Sequence, residues 1–489
     1  MARFATNPKV ARKSVSAGNI VNLAGGPAFK PTASLELVST MLTSFVQDQF
    51  YRSSSDVLLR VTELVNEVDP MFAAKAALFA RREFGMRSIT HAVAAEIAKR
   101  VKGATWTKRF FDRVVYRADD AAEILAYYLT KYGKPIPNSL KKGLGAALSR
   151  QDAYALAKYR KEGAAFNLVD VVNLVRPKAT PALTQLMKGT LAPAETWETK
   201  LTQAGQLEGD EAVIEAKKDA WADLVRERKL KYLALLRNLR NIAQQAPDVL
   251  DAALAQLVDP AAVRKALIFP FQVQNAMEAI AKAGIDPKQY RLIGQALSEV
   301  IDLSVANVPV FEGDSCVILD VSGSMEGQPK QIGGLFTAIL AKAWNADVIT
   351  FGDSARYVQL NLNDSVFTIA ANISFTGGGT NLDSAFQLIA SASGRVRRQL
   401  QKYARIVVLS DQQNWVSGQT GQQSFEAYCR KAGCKPVLYS WDLAHQGSIQ
   451  FPEDKVYCIA GWSDRVFDLF KLLEQDRNAL IAKINAIEL

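Results

Sequence analysis

From about residue 35 to residue 300, apolar positions recur at three-and-four spacing. The segments LELVSTMLTSFV (35–46), DVLLRVTELVNEV (56–68), PMFAAKAALFARREFG (70–85) and THAVAAEIAKRV (90–101) each lay an apolar stripe along one helical face. Gly, Pro or polar breaks separate them. Helices that cannot bury their stripes alone must stack, which predicts antiparallel hairpins in an α-solenoid. No fixed-length repeat is present, so the pairs are expected to be irregular and HEAT-like rather than regular tetratricopeptide units. Beyond residue 303 the pattern changes. Short apolar runs near 315–320, 346–351, 405–410, 435–441 and 455–460 read as strands, and amphipathic stretches at 331–344, 382–390, 423–431 and 464–486 read as the helices between them. That alternation predicts a doubly wound, Rossmann-like α/β domain over 304–489, following an all-α solenoid over 21–303.

The length of 489 residues agrees with two or more domains, and 49% hydrophobic with 22% charged residues is the composition of a globular protein. No stretch reaches the ~18 uncharged apolar residues of a membrane span. Residues 1–35 hold no acid and include Arg3, Lys9, Arg12, Lys13 and Lys30, without the apolar core of a secretory signal; residues 1–20 are therefore expected to be a flexible basic arm. Cys316, Cys429, Cys434 and Cys458 form no CxxC pair and only two histidines accompany them, which argues against zinc. Cys316 and Cys458 fall in apolar runs, where reduced buried thiols are usual, so a reducing, cytoplasmic location is expected.

Charge divides the chain a second time. Residues 1–300 carry 43 Lys and Arg against 30 Asp and Glu, and residues 301–489 carry 16 against 19. The basic excess belongs to the amino-terminal part and is densest between Arg81 and Lys178, a field suited to a polyanion whose counterions Lys and Arg displace. Candidate phosphate contacts are Arg81, Arg82, Arg87, Lys99, Lys102, Lys108, Arg109, Lys141, Lys142, Arg176 and Lys178, with Arg237 and Arg240 three apart on one helical face. Aromatic residues interleave with this charge at 106–111 and 127–128, but helix cores use the same pattern. His91 is expected in a helix-start role rather than as a base.

The α/β half carries the clearest chemistry. DVSGSM at 320–325 ends a strand-like run and offers Asp320, Ser322 and Ser324; Thr380 follows three glycines, and Asp411 follows the run 405–410. Loops at the carboxyl ends of parallel strands converge, so these five side chains are expected to meet. Hydroxyls and carboxylates are hard ligands for a divalent cation, Mg²⁺ first, with Mn²⁺ or Ca²⁺ also suited. A site built largely of neutral oxygens leaves the cation ready for an outside carboxylate. The constellation resembles the metal-ion-dependent adhesion site of a von Willebrand factor A domain. Gly377–Gly379 lacks the Lys-Ser/Thr of a P-loop. Two carboxylates are few for a two-metal nuclease, and no nucleophile-elbow sequence supports a triad from Ser324 and His445, so no catalysis is expected.

The segments Asn22-Leu-Ala-Gly-Gly-Pro-Ala-Phe29, Glu195-Thr-Trp-Glu198, Tyr232-Leu-Ala-Leu-Leu-Arg-Asn-Leu-Arg-Asn-Ile242 and Phe269-Pro-Phe271 resemble the TROVE module of the Ro autoantigen family, including its bacterial members. The resemblance spans roughly 20–489 and implies a HEAT-like ring closed by the A-type domain. It implies binding of Y-like noncoding RNA on a basic outer surface and of single-stranded 3′ ends of misfolded RNA in the ring cavity, for RNA quality control or decay. It also implies a protein partner at the cation and, as in bacterial relatives, an exoribonuclease such as polynucleotide phosphorylase. Within 171–178, Arg176 stands where animal members use a histidine for Y RNA; arginine still contacts phosphate or stacks on a base. In the 232–242 segment Asn238 and Asn241 are expected to tie down loops. A protein-interaction adaptor without specific RNA binding, and more remotely a metal-dependent nuclease, are the competing readings.

Overall fold

The structure, a computed structural model, describes residues 19–44, 53–160, 166–194, 196–266, 270–391, 401–454, 456–462, 466–467, 470 and 479–489. The expected basic arm therefore lies almost entirely outside the described residues, as do Glu195, Phe269 and most of the 464–486 stretch.

A short antiparallel hairpin, β1 (Ile20–Val21) and β2 (Pro27–Ala28), opens the chain. The described helices that follow are α1 (Ala33–Thr43), α2 (Ser54–Glu67), α3 (Pro70–Arg82), α4 (Ser88–Arg100), α5 (Thr107–Val114), α6 (Ala118–Tyr132), α7 (Asn138–Ser149), α8 (Ala153–Tyr159) and α9 (Leu168–Val175). The series continues to a long helix, Pro287–Asn307. Local chemistry sets their starts. The Thr32 hydroxyl caps α1, Ser53 and Asp56 form a reciprocal capping box on α2, and Asp69 with Pro70 starts α3. Alanine-rich α3 and α4 bury most of their side chains and pack closely, α4 against α6 and α5 against α7. These are the irregular stacked pairs that the periodicity predicts.

The second half is a six-stranded sheet in the order β5-β4-β3-β6-β7-β8, from β3 (Ser315–Asp320), β4 (Asp347–Phe351), β5 (Ala355–Val358), β6 (Arg405–Ser410), β7 (Val437–Asp442) and β8 (Tyr457–Ala460). All pairings are parallel except β4 with β5. Val317 and Leu319 point into one apolar layer and Cys316 and Ile318 into the other, so β3 is covered on both faces. The layer that receives Val317 and Leu319 is continuous with the core of the helical half.

Both ends of the helical series dock on this domain, which closes the ring. At the amino-terminal end Phe29 pairs antiparallel with Ile449, Thr32 bonds Glu453, and the His445 backbone N–H donates to the Thr43 hydroxyl. Beyond Ala460 the chain passes Phe84 and Leu42 so closely that a Cβ on Gly461 would lie 2.8 Å from the Phe84 ring. At the other end Lys342 bonds Asp302 at 3.3 Å, and the Trp344 indole N–H donates to the Pro309 carbonyl at 2.7 Å. No described helix is long and apolar enough to cross a membrane.

Candidate functional site

Strand β3 lies between β4 and β6, so the chain leaves it in opposite directions on its two sides and a crevice opens at their carboxyl ends. Asp320 ends β3 and Asp411 follows Ser410, the last residue of β6. The Ser410 hydroxyl donates to Asp320 Oδ2 at 2.6 Å, and the Ser322 backbone N–H donates to Asp320 Oδ1 at 2.9 Å. Ser322 and Ser324 hydroxyls stand 3.3 Å apart, and Asp411 Oδ1 accepts from the Gln413 backbone N–H at 3.2 Å. Three of the five expected ligands, Asp320, Ser322 and Ser324, are thus linked in one buried chain, and the equally buried Asp411 follows the Ser410 that bonds Asp320.

The fifth, Thr380, follows the glycine run, which is bonded to the loop after β3. Gly323 N–H donates to the Gly378 carbonyl at 3.2 Å, and Gly377 N–H to the Val321 carbonyl at 3.1 Å, tying the loop to the start of the site. A Cβ on Gly378, whose φ is +87°, would stand 2.3 Å from Asp353 Oδ2. Only glycine permits that approach. Thr380 is buried, and its carbonyl accepts the N–H groups of Trp415 and Val416.

Burial pushes the Asp320 carboxyl above its ordinary pKa against the bonds from Ser322 and Ser410. Asp411 is pushed up by burial and then by the charge of Asp320. Asp411 Oδ2 is buried with no hydrogen-bond partner among the described residues. Two buried carboxylates, one of them with an unpartnered oxygen, and the hydroxyls of Ser322, Ser324 and Thr380 are hard oxygen donors of the kind a divalent cation takes. The next residue, Gln412, adopts φ 66° and is wholly buried, held by Ser440 and Gln450. This unusual backbone fixes where Asp411 points. His445 bonds Asp442, not Ser324.

The rim of this site holds residues that the sequence pattern does not single out. Trp415 and Val416 are 46% and 39% exposed, and Val21 and Leu23 about half. Hairpin and loop are fastened together, since Asn22 donates to the Asn414 carbonyl at 2.7 Å and Leu23 N–H to Gln413 at 2.9 Å. Alternation and periodicity are silent on such a patch, because it is built from two turns nearly four hundred residues apart.

The basic candidates separate into three groups. Arg82, Lys108, Arg109 and Lys142 are exposed, and Lys141 half-exposed, on the packed helices α3, α5 and α7. Burial, then the neighbouring charges of Arg113 and Arg150, lower the Arg82 pKa, so Arg113 and Arg150 belong to the same face though charge density alone does not mark them as contacts. Arg109 and Arg113 also donate to the Leu489 and Glu488 carbonyls. Lys99, Lys102, Arg176, Lys178, Arg237 and Arg240 are exposed elsewhere along the series, and Lys99 lies 5.0 Å over the Tyr132 ring.

Arg81 and Arg87 require correction. Arg81 is buried on Asp120 at 2.8 Å, and Arg87 divides itself between Asp119 and Asp120, so neither guanidinium is offered to a phosphate. His91 is buried in α4 with Nε2 3.1 Å from Asp120. Asn238 and Asn241 do not tie down loops: Asn238 donates to the Ala234 carbonyl and Asn241 to Asn238, a ladder along their own helix. Phe110 and Phe111 are core residues, as the helical reading of that segment expects.

A closed helical series joined to an α/β domain with a buried, oxygen-rich crevice at its switch point defines the class of architecture. The TROVE domain family model matches residues 33–189 and 184–297, and the chain belongs to that family. Among solved structures, the Ro (RSR) protein of Deinococcus radiodurans shares the fold, with TM-score 0.59 at 19% identity, over 90% of this chain and 99% of that one. Proximal thread matrix protein 1 of the mussel byssus matches 39% of this chain and 52% of its own at 18% identity, with a TM-score of only 0.23. No curated protein matches at the level of sequence.

Proposed function

We propose that the protein is a non-catalytic RNA-binding scaffold of the Ro type. The carrying observation is a TROVE-family helical ring that holds most of the chain's positive excess and displays it in part as one face across α3, α5 and α7. Cations on a rigid surface grip phosphates without reading sequence, and duplex RNA is recognised by such shape and backbone contacts. On this reading Y-like noncoding RNA binds the outer basic face and an unpaired 3′ end of a misfolded RNA enters the ring cavity, in the service of quality control or decay.

The α/β domain would hold Mg²⁺, or less favourably Mn²⁺ or Ca²⁺, on Asp320, Ser322, Ser324, Thr380 and Asp411. The cation would supply an electrophilic point for a partner's carboxylate. Trp415, Val416 and Leu23 would meet apolar groups beside that carboxylate, and an exoribonuclease such as polynucleotide phosphorylase is a partner of the required role. Ribonuclease treatment of the natively purified protein separates the readings. The scaffold predicts bound RNA that protects specific fragments; copurifying proteins with no RNA and no response to ribonuclease would leave the adaptor reading in its place.

A further inference from the structure

A cleft of about 770 Å³ opens between the end of α8, residues Pro193, Ala194 and Thr196 to Thr199, and the helix Tyr232–Gln245. Its walls carry Arg117, Lys158, Tyr159, Arg160, Trp197 and Arg237. These cations are not equivalent. Arg117 is committed to Asp119 at 2.8 Å, and its guanidinium lies 4.2 Å from the centre of the Tyr159 ring. Arg160 gives an N–H to the Leu191 carbonyl at 3.3 Å. Lys158 has no carboxylate partner among the described residues and meets only the rings of Tyr154 and Tyr159, each at 5.9 Å. Arg237 is exposed and likewise unpaired among the described residues.

The aromatic walls are held in place. Trp197 stacks on the fully buried Trp221 with ring centres 6.0 Å apart and planes 20° apart, which fixes the plane it presents. Tyr159 is fixed by Arg117. Glu198 also lines the cleft, at the start of the helix Trp197–Ala204, and sets a limit on how much negative charge the cleft accepts. A simple anion needs the cations but not the planes, and an apolar ligand needs the planes but not the cations. A nucleotide needs both: a flat base to stack and a phosphate to pair. The volume is that of a small-ligand site, and the paired bases of a duplex expose no π face to it.

We propose that this cleft binds one unpaired nucleotide, its base on Tyr159 and Trp197 and its phosphate between Lys158 and Arg237. The nucleotide is either free in solution or an unpaired residue of an RNA strand, and the second source rests on the RNA-binding reading above. The test is calorimetric titration of the full chain with AMP and UMP, beside adenosine and inorganic phosphate, repeated on Lys158→Ala/Arg237→Ala. Both side chains reach solvent and pair with no carboxylate among the described residues, and an unchanged melting temperature checks the fold of the variant.

The expected result is that the nucleotides bind at least about tenfold tighter than adenosine or phosphate, and that the double variant loses about tenfold or more, the scale of one charge-assisted contact. Competition against a single-stranded decaribonucleotide then names the source. Displacement of AMP supports a residue within a strand, and simultaneous binding supports a free nucleotide. Nucleotides binding no tighter than phosphate, or a double variant binding like the wild type, would overturn the proposal. RNA gel shifts on the same preparations keep the two questions apart, since RNA binding can fail while AMP binding persists, or the reverse.

Discussion

Asp120 shows how far a single side chain can be from what charge counting suggests. It is fully buried and accepts from Arg81, Arg87 and the backbone N–H groups of Tyr116 and Arg117, with His91 3.1 Å away. Burial pushes its carboxyl up, but the bond to His91 and the charge of Arg81 override that and hold it well below the usual carboxylate range. A group depressed in the fold gives stability that is fully present above its unfolded pKa, near 4, and is lost as pH falls toward the folded value. Asp120→Asn should therefore cost about 3–5 kcal/mol at pH 7 and remove part of the acid sensitivity below about pH 4. Urea titrations at pH 7 and pH 3.5 read both effects, and a loss under about 1 kcal/mol would contradict the role given to Asp120. In sequence, Arg81 and Arg87 are indistinguishable from Arg82; only the fold brings Asp119 and Asp120 to them. The meeting of Asp320 and Asp411 at one crevice is the opposite case, legible because their strand-end positions are written in the chain. Asp320→Asn removes like-charge repulsion between two buried groups, so the metal-free protein should melt no lower than wild type. The Mg²⁺-dependent rise in melting temperature, about 2.7 kcal/mol of stabilisation at a hundredfold excess over Kd, should vanish. Scanning fluorimetry with EDTA and with Mg²⁺ decides it; a variant that keeps the full Mg²⁺ shift would place the cation elsewhere.

At the scale of elements, the strands that carry the site are the easiest to read. β3 and β6 are continuous apolar runs buried on both faces, and their observed bounds are those the pattern predicts. β5 escapes the pattern because Ala355–Val358 is a half-exposed edge strand with no apolar run. The hairpin β1–β2 escapes it because its two-residue strands have no periodicity of their own and exist through their dock on Asn414 and Ile449. The glycine turn at 377–379 makes its own prediction. Gly378→Ala must displace Asp353 and adopt a strained φ, so it should lower Mg²⁺ affinity by about tenfold or more while leaving the RNA-binding helices folded; affinity within about twofold of wild type would show that the turn tolerates a side chain. On the helical side, α3, α5 and α7 carry the face. Arg82→Glu with Arg109→Glu should weaken RNA binding and reduce the steepness of log K against log salt by about 1 for each phosphate left without its cation. An unchanged slope in a filter-binding salt series would remove this face from the interface.

For the whole molecule, the central property is closure. The helical series begins and ends on the same α/β domain, through Phe29, Thr32 and Thr43 at one end and Asp302 and Pro309 at the other. Helical periodicity announces a solenoid but not whether it closes, because closure depends on the summed small rotations of irregular pairs and on contacts between residues about four hundred positions apart. The family motifs carry that part of the reading. A closed ring can select RNA by topology, since an unpaired end can enter where a duplex is too wide. The most direct test is a mobility-shift comparison of a structured RNA with a single-stranded 3′ tail, the same RNA without it, and a matched DNA duplex, at two salt concentrations. The account predicts that the tailed RNA binds tightest and keeps its preference at the higher salt. Equal binding to all three, erased together by salt, would contradict it and reduce the basic half to a nonspecific polyanion surface.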